Sequence, residues 1–166
     1  MEQKWSVGTV AGSGVYSLDD GIGTLAKFAG LHVVVASADF KTAWVSQDSF
    51  GLGPNTVRKL TLVEGSADEW ESSTPEWFSS SGDSELADPQ GLVLGSNETE
   101  LFVGEYGAVS LLNLKTKEST VLAGTRHRVG YKDGVGTHAF FEGVRHLALH
   151  KGGEMLAVSD SDNTVL

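Results

Sequence analysis

Two stretches of this chain are nearly the same: DGIGTLAKFAG at residues 20–30 and DGVGTHAFFEG at residues 133–143. They lie 113 positions apart without a gap, and seven of their eleven residues are identical. The similarity continues downstream at the same offset, because Val45-Ser46 matches Val158-Ser159. Matches that keep one order along the chain indicate an internal repeat rather than a chance motif.

An offset of this size is about twice the length of a four-stranded repeat that contains an insertion. A middle copy is therefore expected, and residues 82–114 supply a degraded one. Within it, Leu92–Leu94 matches Val33–Val35, and Leu101–Val103 matches Ala43–Val45. The sequence thus predicts three copies, of which the middle one has diverged most.

Each copy contains short runs of Val, Leu, Thr and aromatic residues, separated by Gly, Asp, Asn and Ser, which is typical of strands and turns. No segment has the sustained periodicity of an amphipathic helix. We therefore predict an all-β domain. The expected strands are His32–Ser37, Ala43–Ser46, Thr56–Leu62, Gly91–Leu94, Glu100–Gly104, Val109–Leu114, Ser119–Ala123, His146–Leu149 and Met155–Ser159.

The order of these motifs resembles the NHL repeat, a family that forms β-propellers. In the first copy the resemblance rests on VAGSG (10–14), DGIG (20–23), Ala26, Phe28 and NTVRK (55–59). In the third copy it rests on residues 121–124, 133–136, 139, 141, 159–160 and 163–165. The resemblance implies three NHL-like blades of four antiparallel strands each, which is half of a six-bladed propeller.

The resemblance also implies a layout for the whole chain, as a single propeller segment. Its expected parts are blade 1 at about 28–65, an acidic loop at 64–88, blade 2 at about 90–124, and blade 3 at about 141–166, completed by a strand at 6–12. Asp-Gly pairs are turn residues, since Asp bonds nearby amides and Gly takes positive φ. We interpret eight motif residues as structural: Asp20, Gly21, Gly23, Phe28, Asp133, Gly134, Gly136 and Phe141, with each Phe filling the space between blades.

The net charge of −10 is concentrated in one segment. Residues 64–88 hold eight of the 22 acidic residues and none of the 12 basic ones, so the rest of the chain has a net charge of −2. Without a positive face, nucleic acid and anionic lipid are poor partners. No run of 18 apolar residues occurs, so membrane insertion is not expected. The N-terminus lacks an apolar signal core, and the compartment stays undecided, an extracellular part of a larger protein included.

The acidic segment also holds two of the four tryptophans. We interpret Glu69, Trp70, Glu71, Trp77 and Phe78 as a partner-binding surface. One alternative is a surface loop whose aromatic residues pack back on the domain, and another is plain disorder.

No catalytic or metal-binding motif is found in the sequence. No H-E-x-x-H motif occurs among the histidines. His146 and His150 have H-x-x-x-H spacing, but they lie on a predicted strand, where residues four apart are separated by about 13 Å, too far to bind one metal ion. The chain has no cysteine, which excludes thiolate ligands and disulfides. We therefore predict a non-catalytic protein-interaction or structural module without catalytic, metal or cofactor residues. The alternative is a propeller enzyme or small-ligand receptor with Ca or Zn at the central axis, similar to the amidating lyases.

Three blades do not close a ring that usually has four to eight. The resemblance places Asn163–Leu166 inside the third strand of a blade, which favours a fragment of a longer chain or assembly with further blades. A homodimer that completes six blades, and an independent open unit, are the alternatives. In each case the expected partner is protein.

Overall fold

The computed structural model describes residues 6–52, 54–76, 86–126 and 128–166. These residues form an all-β structure of three antiparallel sheets and contain no α-helix, so the predicted all-β class is confirmed. Two short 3₁₀ turns, Gly23–Leu25 and Gly136–His138, lie at equivalent places in the first and third copies. None of the described residues forms a helix able to span a membrane.

The first sheet has five strands in the order β1-β5-β4-β3-β2. The strands are β1 (Gly21–Ile22), β2 (Gly30–Ala36), β3 (Thr42–Asp48), β4 (Thr56–Leu62) and β5 (Trp70–Ser73). Strand β5 lies inside the segment that we expected to be an acidic loop. Part of residues 64–88 is therefore a strand, although the charge of the segment suggested a loop throughout.

The middle sheet has four strands in sequence order, and the third has two. The middle strands are β6 (Gly91–Leu94), β7 (Glu100–Gly104), β8 (Ala108–Asn113) and β9 (Glu118–Gly124). The third sheet pairs β10 (Val144–Leu149) with β11 (Leu156–Asp160), and Val165 adds an isolated bridge to Asp160. Residues 6–12, the expected closing strand of this sheet, lie outside the assigned strands.

The first and third sheets share one local irregularity. The pairing of β2 with β3 shifts register between Leu31 and Val34, and the pairing of β10 with β11 shifts at the matching place. In each sheet a serine hydroxyl accepts the bulged amide: Ser46 Oγ from Val33 N–H and Ser159 Oγ from His146 N–H, both at 3.1 Å. In the middle sheet Gly104 occupies the position equivalent to Ser46, and the pairing of β6 with β7 keeps a regular register.

A shared core joins the first and middle sheets. Trp44 and Val57 of the first sheet pack with four buried aliphatic residues of the middle sheet and with Leu86, which precedes it. The four are Leu92, Leu101, Val103 and Leu112. Since burying each such side chain contributes about 1.5–3 kcal/mol, this cluster is a major source of the free energy that holds the two sheets together.

Strand β6 lies between β2 and β10 and packs against both. Strand β7 also contacts β10, and so closely that a Cβ on its Gly104 would lie 2.6 Å from the Val144 carbonyl oxygen. Glycine is thus required at this position for steric reasons. The first long strands of the three sheets (β2, β6 and β10) consequently lie side by side.

A buried guanidinium joins the parts of the first sheet. The Arg58 side chain on β4 is completely buried and donates to Asp20 Oδ1 at 2.6 Å and to Ser72 Oγ at 2.8 Å. It also donates to the carbonyls of Asp19 and Lys27. Burial lowers the pKa of Arg58, while Asp20 acts in the opposite direction. One side chain therefore connects β4, β5 and the Asp-Gly loop.

The motif residues of the two matching loops differ in their contacts. Besides Arg58, Asp20 binds the backbone N–H and hydroxyl of Thr74, so it fixes a remote segment rather than nearby amides. The Phe28 ring lies against the Arg58 guanidinium, 4.8 Å from its centroid. Asp133 is exposed and has no hydrogen bond to any described residue.

The middle sheet places a second guanidinium in the equivalent position, but takes it from another element. Arg126, after β9, donates to both oxygens of the completely buried Glu105 and to the hydroxyls of Ser110 and Ser119. Ser119 faces Leu112 as Ser72 faces Leu60 in the first sheet, so Ser110 stands where Arg58 stands. In the middle sheet the guanidinium thus comes from Arg126 in the loop after β9. The small Ser110, at the strand position of Arg58, leaves room for it.

We expect Arg126→Met to lower the free energy of unfolding by about 3–5 kcal/mol, because it leaves the Glu105 carboxylate buried without its cation. Lys27→Met is the control, since the Lys27–Asp19 pair is exposed and such pairs contribute at most about 1 kcal/mol. Urea denaturation followed by tryptophan fluorescence measures both changes.

A double variant tests the equivalence of the two arginine positions. Arg126→Ser combined with Ser110→Arg places the guanidinium on the strand, as in the first sheet, and should recover most of the stability lost in Arg126→Ser alone. A double variant no more stable than the single one would contradict the equivalence.

Candidate functional site

The structure describes three of the five proposed partner-binding residues. Trp70 lies on β5, partly buried, between the exposed Glu69 and Glu71. Trp77 and Phe78 lie outside the described residues. Among the described members, the aromatic residue thus faces the sheet and the two carboxylates face solvent.

The contacts of Trp70 explain its place in an acidic segment. Its ring packs against the buried cluster of Ala43, Val45 and Leu60. In β5 the exposed Glu71 precedes the completely buried Ser72, which binds Arg58. The tryptophan therefore has a structural contact within the sheet, as the alternative of aromatic residues packing back on the domain describes.

We expect Trp70→Ala to lower the free energy of unfolding by roughly 2–3 kcal/mol, below the 3–5 kcal/mol typical of a fully buried ring. Glu71→Gln, one residue away and exposed, should change it by less than about 0.5 kcal/mol. Thermal and urea unfolding measure both variants. Equal stability of Trp70→Ala and the wild-type protein would return Trp70 to the partner-binding hypothesis.

A groove with four polar side chains lies beside β2, β6 and β10, and we term it the inner groove. The inner groove has a volume of about 260 Å³. It is lined by Leu31, His32, Val33, Gln90, Arg145 and His146. Residues from all three sheets therefore meet around one space.

A chain of hydrogen bonds crosses the inner groove. Arg145 on β10 donates to Gln90 Oε1 at 2.9 Å and to Asp162 Oδ1 at 3.3 Å. Gln90 in turn donates from Nε2 to Asp88 Oδ2 at 2.7 Å. The Gln90 amide thus acts as acceptor toward the third sheet and as donor toward the loop before the middle sheet.

The backbone of Gln90 is held on both sides. Its N–H donates to the Gly104 carbonyl at 2.8 Å, and its carbonyl accepts from Ser46 Oγ at 2.9 Å. Gln90 is buried, with 8% of its surface exposed. Its side chain therefore presents Asp88 and Arg145 with a fixed partner.

Three potential metal ligands meet beside this chain of bonds. His32 on β2, Asp48 at the end of β3 and Asp88 before β6 each offer one ligand atom, and these atoms all lie within 4.8 Å of one another. Asp48 Oδ1 accepts from the Phe50 N–H at 2.8 Å. One imidazole and two carboxylates on three separate elements form a donor set suited to a divalent cation.

Tyr16 reports on the charge of this cluster. Partial burial, and then the nearby Asp48 carboxylate, raise the pKa of Tyr16 above its ordinary value. The tyrosine resists ionisation because a phenolate would stand beside an existing negative charge.

We expect Asp48→Asn to lower the pKa of Tyr16, since it removes the neighbouring charge and keeps the side-chain shape. Ultraviolet titration of a protein with Tyr106→Phe and Tyr131→Phe isolates the Tyr16 phenolate band. Asp39→Asn, on another turn of the first sheet, is the control and should leave the titration unchanged. An identical curve with Asp48→Asn would contradict the contact.

The inner groove was not anticipated from the sequence, because its residues have no motif spacing. His32 and Arg145 do occupy matching positions 113 residues apart, one at the start of each bulge. An alignment of the copies that looked for polar residues on their first strands would have found them. Asp88 was counted with the acidic loop, although it immediately precedes the Pro89-Gln90 pair that enters the middle sheet.

No protein-family profile matches the chain, and no curated protein matches its sequence.

Proposed function

We propose that this chain is an NHL-type β-propeller segment that serves as a non-catalytic protein-interaction module. The propeller arrangement is supported by three successive antiparallel sheets whose first strands lie side by side. It is also supported by the bulge and the 3₁₀ turn that recur 113 residues apart. Each sheet then corresponds to one blade, with β2, β6 and β10 nearest the axis.

The observation on which the interaction role rests is the open edge of the third sheet. Within the described residues, the far edge of β11 pairs only with Val165. Beside it lies a groove of about 490 Å³, lined in part by Phe140, Phe141, Leu156 and Val158. An open strand edge next to an apolar groove accepts an additional strand readily, because main-chain bonds and side-chain burial add together.

The occupant that we propose is residues 6–12 of a second copy. The TVAG sequence at 9–12 resembles residues 120–124, which form part of β9, the outer strand of the middle sheet. Val7 is fully exposed and Val10 half exposed, and both lie outside any strand. A strand-forming sequence without a sheet and a sheet with an open edge are complementary, and a two-fold exchange would satisfy both copies.

Solution mass tests this proposal on the chain of residues 1–166. Light scattering with size-exclusion chromatography should give a dimer, and Val7→Asp with Val10→Asp should give a monomer. Phe40→Asp, at an exposed apolar residue between β2 and β3 of the first sheet, is the matched control and should remain dimeric. A wild-type monomer at all concentrations, or a dimer that survives the double substitution, would refute the exchange.

A second candidate function is a small-ligand receptor at the propeller axis. The observation that favours it is the inner groove, where His32, Gln90, Arg145 and His146 converge from three sheets. A small number of polar groups that surround one space is typical of ligand-binding sites.

A further inference from the structure

We infer that His32, Asp48 and Asp88 form a binding site for one divalent transition-metal ion of the Zn²⁺ type. This inference goes beyond the interaction role and does not depend on how the third sheet is completed. It rests on the position of the three ligand atoms, on a carboxylate oxygen without a hydrogen bond, and on the hydrogen bonds that hold the two aspartates.

The ligand atoms of His32, Asp48 and Asp88 are close enough to bind one ion. The three ligand atoms lie within 4.8 Å of one another. With metal–ligand distances of about 2.0–2.2 Å, the ligands of a tetrahedral zinc ion lie about 3.3 Å apart. The groups therefore need to approach by at most about 1.5 Å. The exposed His32 side chain can make most of that movement, because no described hydrogen bond restrains its ring.

One carboxylate oxygen of Asp88 lacks a hydrogen-bond donor. Its Oδ1 is shielded from solvent and has no hydrogen-bond partner among the described residues. Leaving a buried acceptor without a hydrogen bond is unfavourable, and more so when the acceptor is charged. A cation beside Oδ1 would remove that cost.

Hydrogen bonds hold the carboxylates of Asp48 and Asp88 in position. Gln90 Nε2 holds Asp88 Oδ2, and the Phe50 N–H holds Asp48 Oδ1, so the other oxygen of each group stays available. Hydrogen bonds of this kind orient metal-binding carboxylates and raise their affinity. Gln90 is thus a positioning residue for Asp88.

The chemistry of the ligands selects the ion. An imidazole nitrogen with two carboxylate oxygens suits Zn²⁺, whereas Ca²⁺ and Mg²⁺ prefer oxygen ligands alone. Two carboxylates and a neutral imidazole give a charge of −2, which balances a divalent cation. Three protein ligands leave a fourth position for water or for a ligand in the inner groove.

Isothermal titration of the chain with ZnCl₂ in excess Mg²⁺ tests the inference. We expect one ion per chain, and at least tenfold weaker binding in His32→Gln and in Asp88→Asn. Asn tolerates the left-handed backbone of residue 88, where φ is +52°, so the second variant should remain folded. Circular dichroism checks the fold of each variant.

The matched control is His150→Gln, next to Glu154 and outside the lining of the inner groove. This variant should bind zinc as the wild-type protein does, and zinc should shift its His32 imidazole resonances. Absence of binding, unchanged binding in His32→Gln or Asp88→Asn, or loss of binding in the control would overturn the inference.

Discussion

A positive charge enclosed by its partners is the interaction on which the sheets depend. In the first sheet the Arg58 guanidinium contacts β5 and the loop before β2 as well as its own strand. In the middle sheet Arg126 makes the corresponding contacts with Glu105 and two serines. A buried charge is tolerated only with such a set of partners, so each guanidinium fixes one arrangement of strands and loops.

The two sheets show that the repeat preserves the position of a charge and not the identity of the residue that supplies it. Sequence comparison reads Arg58 against Ser110 as a loss, whereas the structure shows the same space filled by Arg126 from the next loop. Its anion moves as well, from the loop residue Asp20 to Glu105 beside β7. The middle copy is therefore less degraded in its physical interactions than in its sequence.

The sequence was sufficient for most of the strands, because apolar runs and turn residues are local signals. Thr56–Leu62, Gly91–Leu94 and Glu100–Gly104 were predicted with their observed limits, and most others within two residues. Strand β5 was missed because its charged neighbours suggested a loop, although the partly buried Trp70 packs on the sheet. The cluster of His32, Asp48 and Asp88 was missed because its members come together only through the pairing of β2 with β3 and the packing of β6 on β2.

The Gln90 side chain connects the cation cluster with the third sheet. Its one amide group is shared between Asp88 and Arg145, and Arg145 belongs to the sheet with the open edge. Occupation of the cation cluster and completion of the third sheet would therefore act on the two ends of the same rigid group. Thermodynamic reciprocity requires that if either event strengthens the other, the reverse holds by the same factor. Gln90 would then connect the proposed cation site with the sheet at which we propose that a second copy docks.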